Sequence, residues 1–143
     1  MSYVLLMAAD RPLPLCDHSA VRTTISVVED EEFSISVSCG FSVSEHRYYR
    51  HCTDALCYPF KPFQYELDLY VDQADLDNLK RYLHEHFEAG EVVDFWHVCV
   101  SDVEGKSCPS RETVVLNEFT LETMGKLKEI NEYGDQYWLS VVI

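Results

Sequence analysis

The sequence predicts an α+β fold, in which an antiparallel sheet carries two helices on one face. Residues 63–71 alternate apolar and polar side chains, the pattern of a strand with one buried face. Residues 76–87 repeat apolar side chains at helical spacing, which predicts an amphipathic helix. Over residues 63–143 the predicted elements run strand, helix, strand, strand, helix, strand, which is the ferredoxin-like βαββαβ order.

Upstream of this unit, the sequence predicts one strand and one β-hairpin. The apolar run at about 2–8 predicts the strand, and segments 23–28 and 33–39 predict the two arms of the hairpin. The second arm alternates apolar residues with serines, and the acidic sequence at 29–32 forms the turn between the arms. We expect these elements to extend or flank the sheet.

The first half of the βαββαβ unit contains its clearest strand and helix. The strand at 63–71 is followed by Asp72 and Asp75, either of which can cap the start of a helix. Gly90 is a suitable end for that helix. Residues 92–100 are β-branched and aromatic, which predicts a largely buried strand.

The second half of the unit is less regular. A short strand is predicted at about 111–116, and Thr120 can cap a helix that ends before Gly134. The apolar stripe of this helix consists of Leu121, Met124, Leu127 and Ile130. Residues 137–143 then predict a final strand.

The size and composition of the chain fit one globular domain. Of its 143 residues, 47% are hydrophobic and 25% are charged, and we interpret residues 1–143 as a single α+β domain. The apolar run at the N-terminus is too short for a signal peptide, and no run approaches the roughly 20 apolar residues that span a bilayer. These features predict a cytoplasmic protein whose six cysteines are reduced thiols.

The formal net charge of −14 indicates which partners the chain can attract. Such a field repels DNA, RNA and anionic membranes, because phosphate neutralisation needs clustered Lys and Arg. It attracts basic protein surfaces and accelerates their encounter at low salt. Solubility alone is the plainer interpretation of the same charge.

The loop at 46–63 differs from its surroundings. Residues 41–62 contain three basic and only two acidic residues, together with a concentration of aromatic side chains. Arginines and aromatics are the residue types that anchor interfaces, so the loop is a candidate binding surface. Its candidate binding residues are Arg47, Tyr48, Tyr49, Arg50, Tyr58 and Phe60. The alternative is a long connection whose aromatics cover the sheet and whose cations pair with nearby acids.

The same loop contains His51, Cys52 and Cys57, which are residue types that bind zinc. A structural zinc site needs four ligands, and no second close pair is present, so no metal or other cofactor is predicted. His97 and Cys99 share one face of a predicted strand, where a buried His and Cys are the commoner outcome than a site. The five glycines of the chain do not match a phosphate-binding loop.

These features favour a non-enzymatic protein-interaction domain of the accessory, regulatory or inhibitor type. It would dock a basic or mixed-charge protein partner through electrostatic attraction that added salt weakens. Two other functions remain open at this stage. One is a small zinc- or thiol-dependent enzyme, and the other is a small-ligand sensor with a pocket between the sheet and the 46–63 loop.

Overall fold

The computed structural model describes residues 3–18, 20–100, 107–128 and 136–143. Within these ranges the chain forms nine strands and three α-helices. The strands are β1 (Tyr3–Ala9), β2 (Cys16–Asp17), β3 (Ala20–Val28), β4 (Glu31–Cys39), β5 (Ser42–Glu45), β6 (Phe63–Asp68), β7 (Val92–Cys99), β8 (Arg111–Val115) and β9 (Tyr137–Val142). The helices are α1 (Arg50–Leu56), α2 (Gln73–His86) and α3 (Leu121–Lys128), with a single 3-10 turn at Leu116–Glu118.

Seven of the strands form one sheet, and the other two form a separate hairpin. The order across the sheet is β2-β5-β6-β1-β7-β9-β8, and β3 pairs only with β4. All pairs are antiparallel except β8 with β9, which is parallel. The predicted α+β fold with a mostly antiparallel sheet is therefore confirmed.

The ferredoxin-like arrangement is not confirmed. The elements do follow one another along the chain as β6, α2, β7, β8, α3 and β9. In the sheet, however, β1 lies between β6 and β7. The physical reason is in β1 itself: Val4–Ala9 are buried on both faces of the strand, and such a continuous apolar run stabilises a fold best at the centre of a sheet.

Helix α2 begins after a predicted cap residue, and it ends at His86, four residues before Gly90. The carboxylate of Asp72 accepts a 2.9 Å hydrogen bond from the backbone N–H of Asp75, so Asp72 is the cap. The apolar stripe of Leu76, Leu79 and Leu83 is buried against the sheet. Helix α3 likewise buries Met124 and Leu127, while the predicted continuation to Ile130 and Gly134 lies outside the described residues.

The sheet is covered on both faces. Helices α2 and α3 pack on one face, where alternate residues of the central strands contribute to the larger core. The other face is covered by α1 and by aromatic side chains from the 46–63 loop. There the indole rings of Trp96 and Trp138 stack with centroids 4.2 Å apart, and the ring of Phe60 meets Trp96 edge-on. The 46–63 connection thus forms a second covering layer.

Three short elements were not predicted: β2, β5 and α1. Helix α1 has seven residues and no side-chain cap, and it buries only Thr53. It ends at Cys57, whose φ of 56° lies in the left-handed region that usually favours glycine. Strands of two and four residues, as in β2 and β5, give too few positions for an alternating pattern.

In the described residues, none of the helices has both the length and the apolar composition needed to cross a membrane.

Candidate functional site

The central feature of the sheet is a place where two neighbouring strands separate. Strands β1 and β6 pair from Ala9–Phe63 to Leu6–Glu66, and their pairing ends there. Beyond that point β1 continues paired with β7 as far as Tyr3, while β6 continues paired with β5 as far as Asp68. The sheet therefore divides, and a cleft of about 410 Å³ lies at the division.

This cleft, which we call the fork cleft, receives side chains from both faces of the sheet. It is lined by Tyr3, Val4, Leu5, Ser44, Tyr49, Glu66, Leu67, Asp68, His97 and Lys128. Because side chains alternate between the faces of a strand, neighbours such as Val4 and Leu5 approach the cleft from opposite sides of the sheet. Its volume lies within the range of small-molecule sites.

His97 lines the fork cleft and has an imidazole nitrogen without a partner. The side chain is 5% exposed, and Nδ1 lies 2.5 Å from the backbone carbonyl of Leu127 on α3. A carbonyl only accepts hydrogen bonds, so Nδ1 carries the proton and Nε2 presents a lone pair. Within the described residues this buried Nε2 has no hydrogen-bond partner. Burial lowers the pKa of His97, and nearby Lys128 lowers it further, so the ring is neutral at pH 7.

Glu66 lines the same cleft beside a second buried histidine, His46. Nε2 of His46 lies 2.7 Å from the hydroxyl of Thr53, which itself donates to the carbonyl of Arg50 at 3.1 Å. The hydroxyl hydrogen is thus engaged, so Nε2 must donate and Nδ1 must present a lone pair. That lone pair faces Oε1 of Glu66 at 3.7 Å. Two acceptors therefore face each other, and no donor from the part of the chain that the structure describes lies between them.

Burial acts on both members of this pair. It raises the pKa of Glu66 and lowers the pKa of His46, which Arg50 also lowers. Each shift disfavours the charged form, as expected where burial removes part of the hydration of a charged group. At one side of the cleft, Lys128 contacts the carboxylate of Asp68 at 3.4 Å, so the ammonium group of this lysine has an acidic partner.

The six candidate residues of the 46–63 loop lie in different settings. Two of them, Tyr58 and Phe60, pack against Trp96 on the sheet. The guanidinium groups of Arg47 and Arg50 pair with Glu45 and Asp54, respectively. Tyr49 is half-buried and lines the fork cleft, whereas Tyr48 is 78% exposed. Their role as a binding surface stays a prediction.

The candidate metal ligands of the loop lie on or beside α1. Nε2 of His51 is 3.4 Å from Sγ of Cys52, and Cys57 Sγ contacts the carbonyl of Asp54 at 3.8 Å. Across the described ranges, no three His, Cys, Asp or Glu residues are grouped so that they could hold a metal ion. Cys99 and His97, which share one face of β7, are both buried.

The hairpin β3–β4 presents a different kind of surface. Strand β3 ends at Val28 and β4 begins at Glu31, and this pair closes a two-residue turn. Near that turn, large apolar side chains are solvent-exposed: Ile25, Val27, Val28 and Phe33. Four consecutive acidic residues, at positions 29–32, occupy the turn and the start of β4, and all are exposed.

No family model matches this sequence, and neither a curated protein nor a solved structure is significantly similar to it.

Sequence reasoning did not find the fork cleft. His97 was noted for its strand position beside Cys99, and the residues that surround it in the cleft come from five other segments. Glu66 had the pattern of an ordinary solvent-facing strand residue. No periodic pattern in the sequence indicates that two strands will separate. The cleft can be recognised only from which strands pair in the structure.

Proposed function

We propose that the chain is a protein-interaction domain that docks a basic or mixed-charge protein through its β3–β4 hairpin. The observation that carries the proposal is the exposure of large apolar side chains next to the acidic turn. Ile25, Val27, Val28 and Phe33 are 62%, 69%, 57% and 48% exposed, respectively. Clustered exposed apolar groups rimmed by charge are typical of interaction sites.

The two faces of the hairpin both contribute to this surface. Residues opposite each other in an antiparallel pair share a face, so Val27 lies on one face with Glu32 and Val28 lies on the other with Glu31. Phe33 shares the face of Glu31, two residues away. A hairpin that covered its own core would bury one face, whereas the described side chains near this turn are exposed on both faces. This geometry supports insertion of the hairpin into a groove of the partner.

Charge identifies the chemistry of that groove. The residues at 29–32 supply four of the negative charges of a chain whose net charge is −14. An apolar groove with Lys and Arg at its floor or rim would satisfy both the apolar faces and the acidic turn. Electrostatic attraction of this kind mainly speeds association and suppresses acidic partners.

The test is photo-crosslinking in cells of the protein's source, with the crosslinker placed at position 27, 33 or 118. Positions 27 and 33 lie on opposite faces of the hairpin, and position 118 is an exposed control site outside it. We expect the same basic protein to be captured from 27 and 33 but not from 118. Binding of that protein, once purified, should weaken about tenfold or more between 50 and 300 mM salt.

Two variants then test whether the exposed apolar side chains of the hairpin contribute to the affinity for the partner protein. Val27→Ser with Phe33→Ser should weaken binding by about tenfold or more, since truncation of central apolar anchors typically costs over 1 kcal/mol. Val115→Ser removes an apolar side chain of similar exposure on β8 and should leave affinity unchanged. Unchanged affinity in the hairpin variant, or capture only of a second copy of the chain, would contradict the proposal.

A further inference from the structure

We propose that the fork cleft binds a small organic cation, an ammonium group carried on an apolar body. The inference concerns a different surface from the hairpin and does not depend on the proposed protein partner. It rests on the surplus of hydrogen-bond acceptors in the cleft, on the charge around it and on the apolar side chains that complete its walls.

Two acceptors of the fork cleft, on His97 and Glu66, can take a hydrogen bond from a ligand. His97 Nε2 presents a buried lone pair, and Oε1 of Glu66, whose side chain is 28% exposed, lies 3.7 Å from the lone pair of His46 Nδ1. A buried polar atom without a partner is unfavourable, so a ligand that supplies a hydrogen atom to His97 Nε2 would recover free energy. An ammonium group carries up to three N–H donors and accepts nothing, which matches this arrangement.

The charge of the cleft favours a cation over a neutral donor. Glu66 and Asp68 supply two carboxyl groups, and Lys128, the one lysine among the lining residues, already contacts Asp68. A bound ammonium would favour the ionised form of Glu66, because an adjacent positive charge offsets the effect of burial on its pKa. The net charge of −14 would also raise the local concentration of cations.

The rest of the cleft suits an apolar body beside the ammonium group. Val4, Leu5 and Leu67 contribute aliphatic walls, and the rings of Tyr3 and Tyr49 border the opening from either side of the sheet. The ring of Tyr3 packs against His97 with centroids 4.9 Å apart. Aromatic faces also attract ammonium groups directly, which adds to the preference for a cation. A bare metal ion would use none of these walls.

Isothermal titration calorimetry of the purified full chain with three matched probes tests the proposal. Tryptamine carries the ammonium group, tryptophol replaces it with a hydroxyl, and indole-3-propionate replaces it with a carboxylate. We expect tryptamine to bind one to one, about tenfold or more tightly than tryptophol, because a charge-assisted hydrogen bond exceeds a neutral one. Indole-3-propionate should not bind. Amide chemical shifts of Val4, Leu5 and Leu67 should move on addition of tryptamine.

Two glutamate variants locate the charge. Glu66→Gln keeps the shape of the side chain and should weaken tryptamine about tenfold while leaving tryptophol within about twofold. Glu118→Gln removes the same charge from an exposed site outside the cleft and should change neither affinity. Circular dichroism confirms that both variants are folded.

Several results would overturn the inference. Equal affinity for tryptamine and tryptophol would show a site for neutral donors, and tighter binding of indole-3-propionate would show an anion site. An absence of tryptamine binding at millimolar concentration would also overturn it. An equal loss in Glu66→Gln and Glu118→Gln would attribute the effect to net charge rather than to the cleft.

Discussion

His46 and His97 are buried in opposite tautomers, each with one ring nitrogen bonded and one presenting a lone pair. His97 donates from Nδ1 to Leu127, and His46 donates from Nε2 to Thr53. The unpartnered nitrogen of each is an acceptor, so protonation at that nitrogen would place a charge where water is excluded. Burial accordingly lowers the pKa of both histidines below the ordinary value of 6.5.

These lowered pKa values predict a loss of stability in mild acid. Below pH 6.5 the unfolded chain binds protons at both histidines before the folded chain does, so the free energy of unfolding falls as the pH falls. The slope approaches about 1.4 kcal/mol per pH unit for each histidine. Glu66 opposes it, since its raised pKa makes stability fall as pH rises through that value. Urea unfolding between pH 5 and 7.5 should show the histidine slope most clearly in a Glu66→Gln background.

A matched histidine variant separates the buried groups from general acid effects. In the Glu66→Gln background, His46→Gln with His97→Gln should reduce the fall in the free energy of unfolding below pH 6.5. The control variant His84→Gln, at an exposed position of α2, should leave that fall unchanged. If the slope persists in the buried-site variant, other groups must carry it.

Among the elements, the β3–β4 hairpin has an unfavourable turn. Glu29 and Asp30 both have positive φ, 53° and 63°, as a two-residue turn of this kind requires. Residues with a Cβ are disfavoured there, and Asn-Gly is the preferred pair. The turn therefore keeps two acidic residues at a conformational cost, which is consistent with their proposed role in docking.

Replacing this pair by Glu29→Asn with Asp30→Gly should stabilise the hairpin by about 1 kcal/mol. The measurement is amide hydrogen exchange in β3 and β4, because the hairpin does not pair with the larger sheet. Glu31→Gln with Glu32→Gln removes two neighbouring negative charges without changing the turn residues and serves as the control. Equal protection in both variants would mean that charge repulsion, rather than backbone conformation, weakens the hairpin.

The elements also show what the sequence could and could not predict. Long periodic segments such as α2 and β6 were predicted because burial of one face imposes a repeating pattern. Helix α1 was not predicted because it has neither a side-chain cap nor a long stripe of apolar residues, and its position depends on packing over the sheet. Pairing between distant strands leaves no periodic signal, so neither the central place of β1 nor the fork cleft could be inferred.

For the whole molecule, the pairing of β2 with β5 shows how the hairpin is attached. Asp17 pairs with Ser42, and the backbone N–H of His18 donates to the carbonyl of Phe41 at 2.8 Å. The chain thus leaves the seven-stranded sheet at His18 and returns to it at Phe41 beside its point of departure. Everything between these two residues is an insertion within one antiparallel pair, and the proposed docking surface belongs to that insertion.

This attachment predicts that the sheet can fold without the hairpin. Replacing residues 19–40 by Asn-Gly would join His18 to Phe41 through a two-residue turn, the connection that antiparallel strands favour. The described residues of the large core and of the fork cleft lie outside the deleted segment, so the free energy of urea unfolding should stay within about 1 kcal/mol of the parent. Binding of the purified protein partner should disappear, while tryptamine binding should persist. A truncated chain that fails to fold would show that the hairpin stabilises the sheet, and retained partner binding would place the docking surface elsewhere, with the exposed Tyr48 as the next residue to replace.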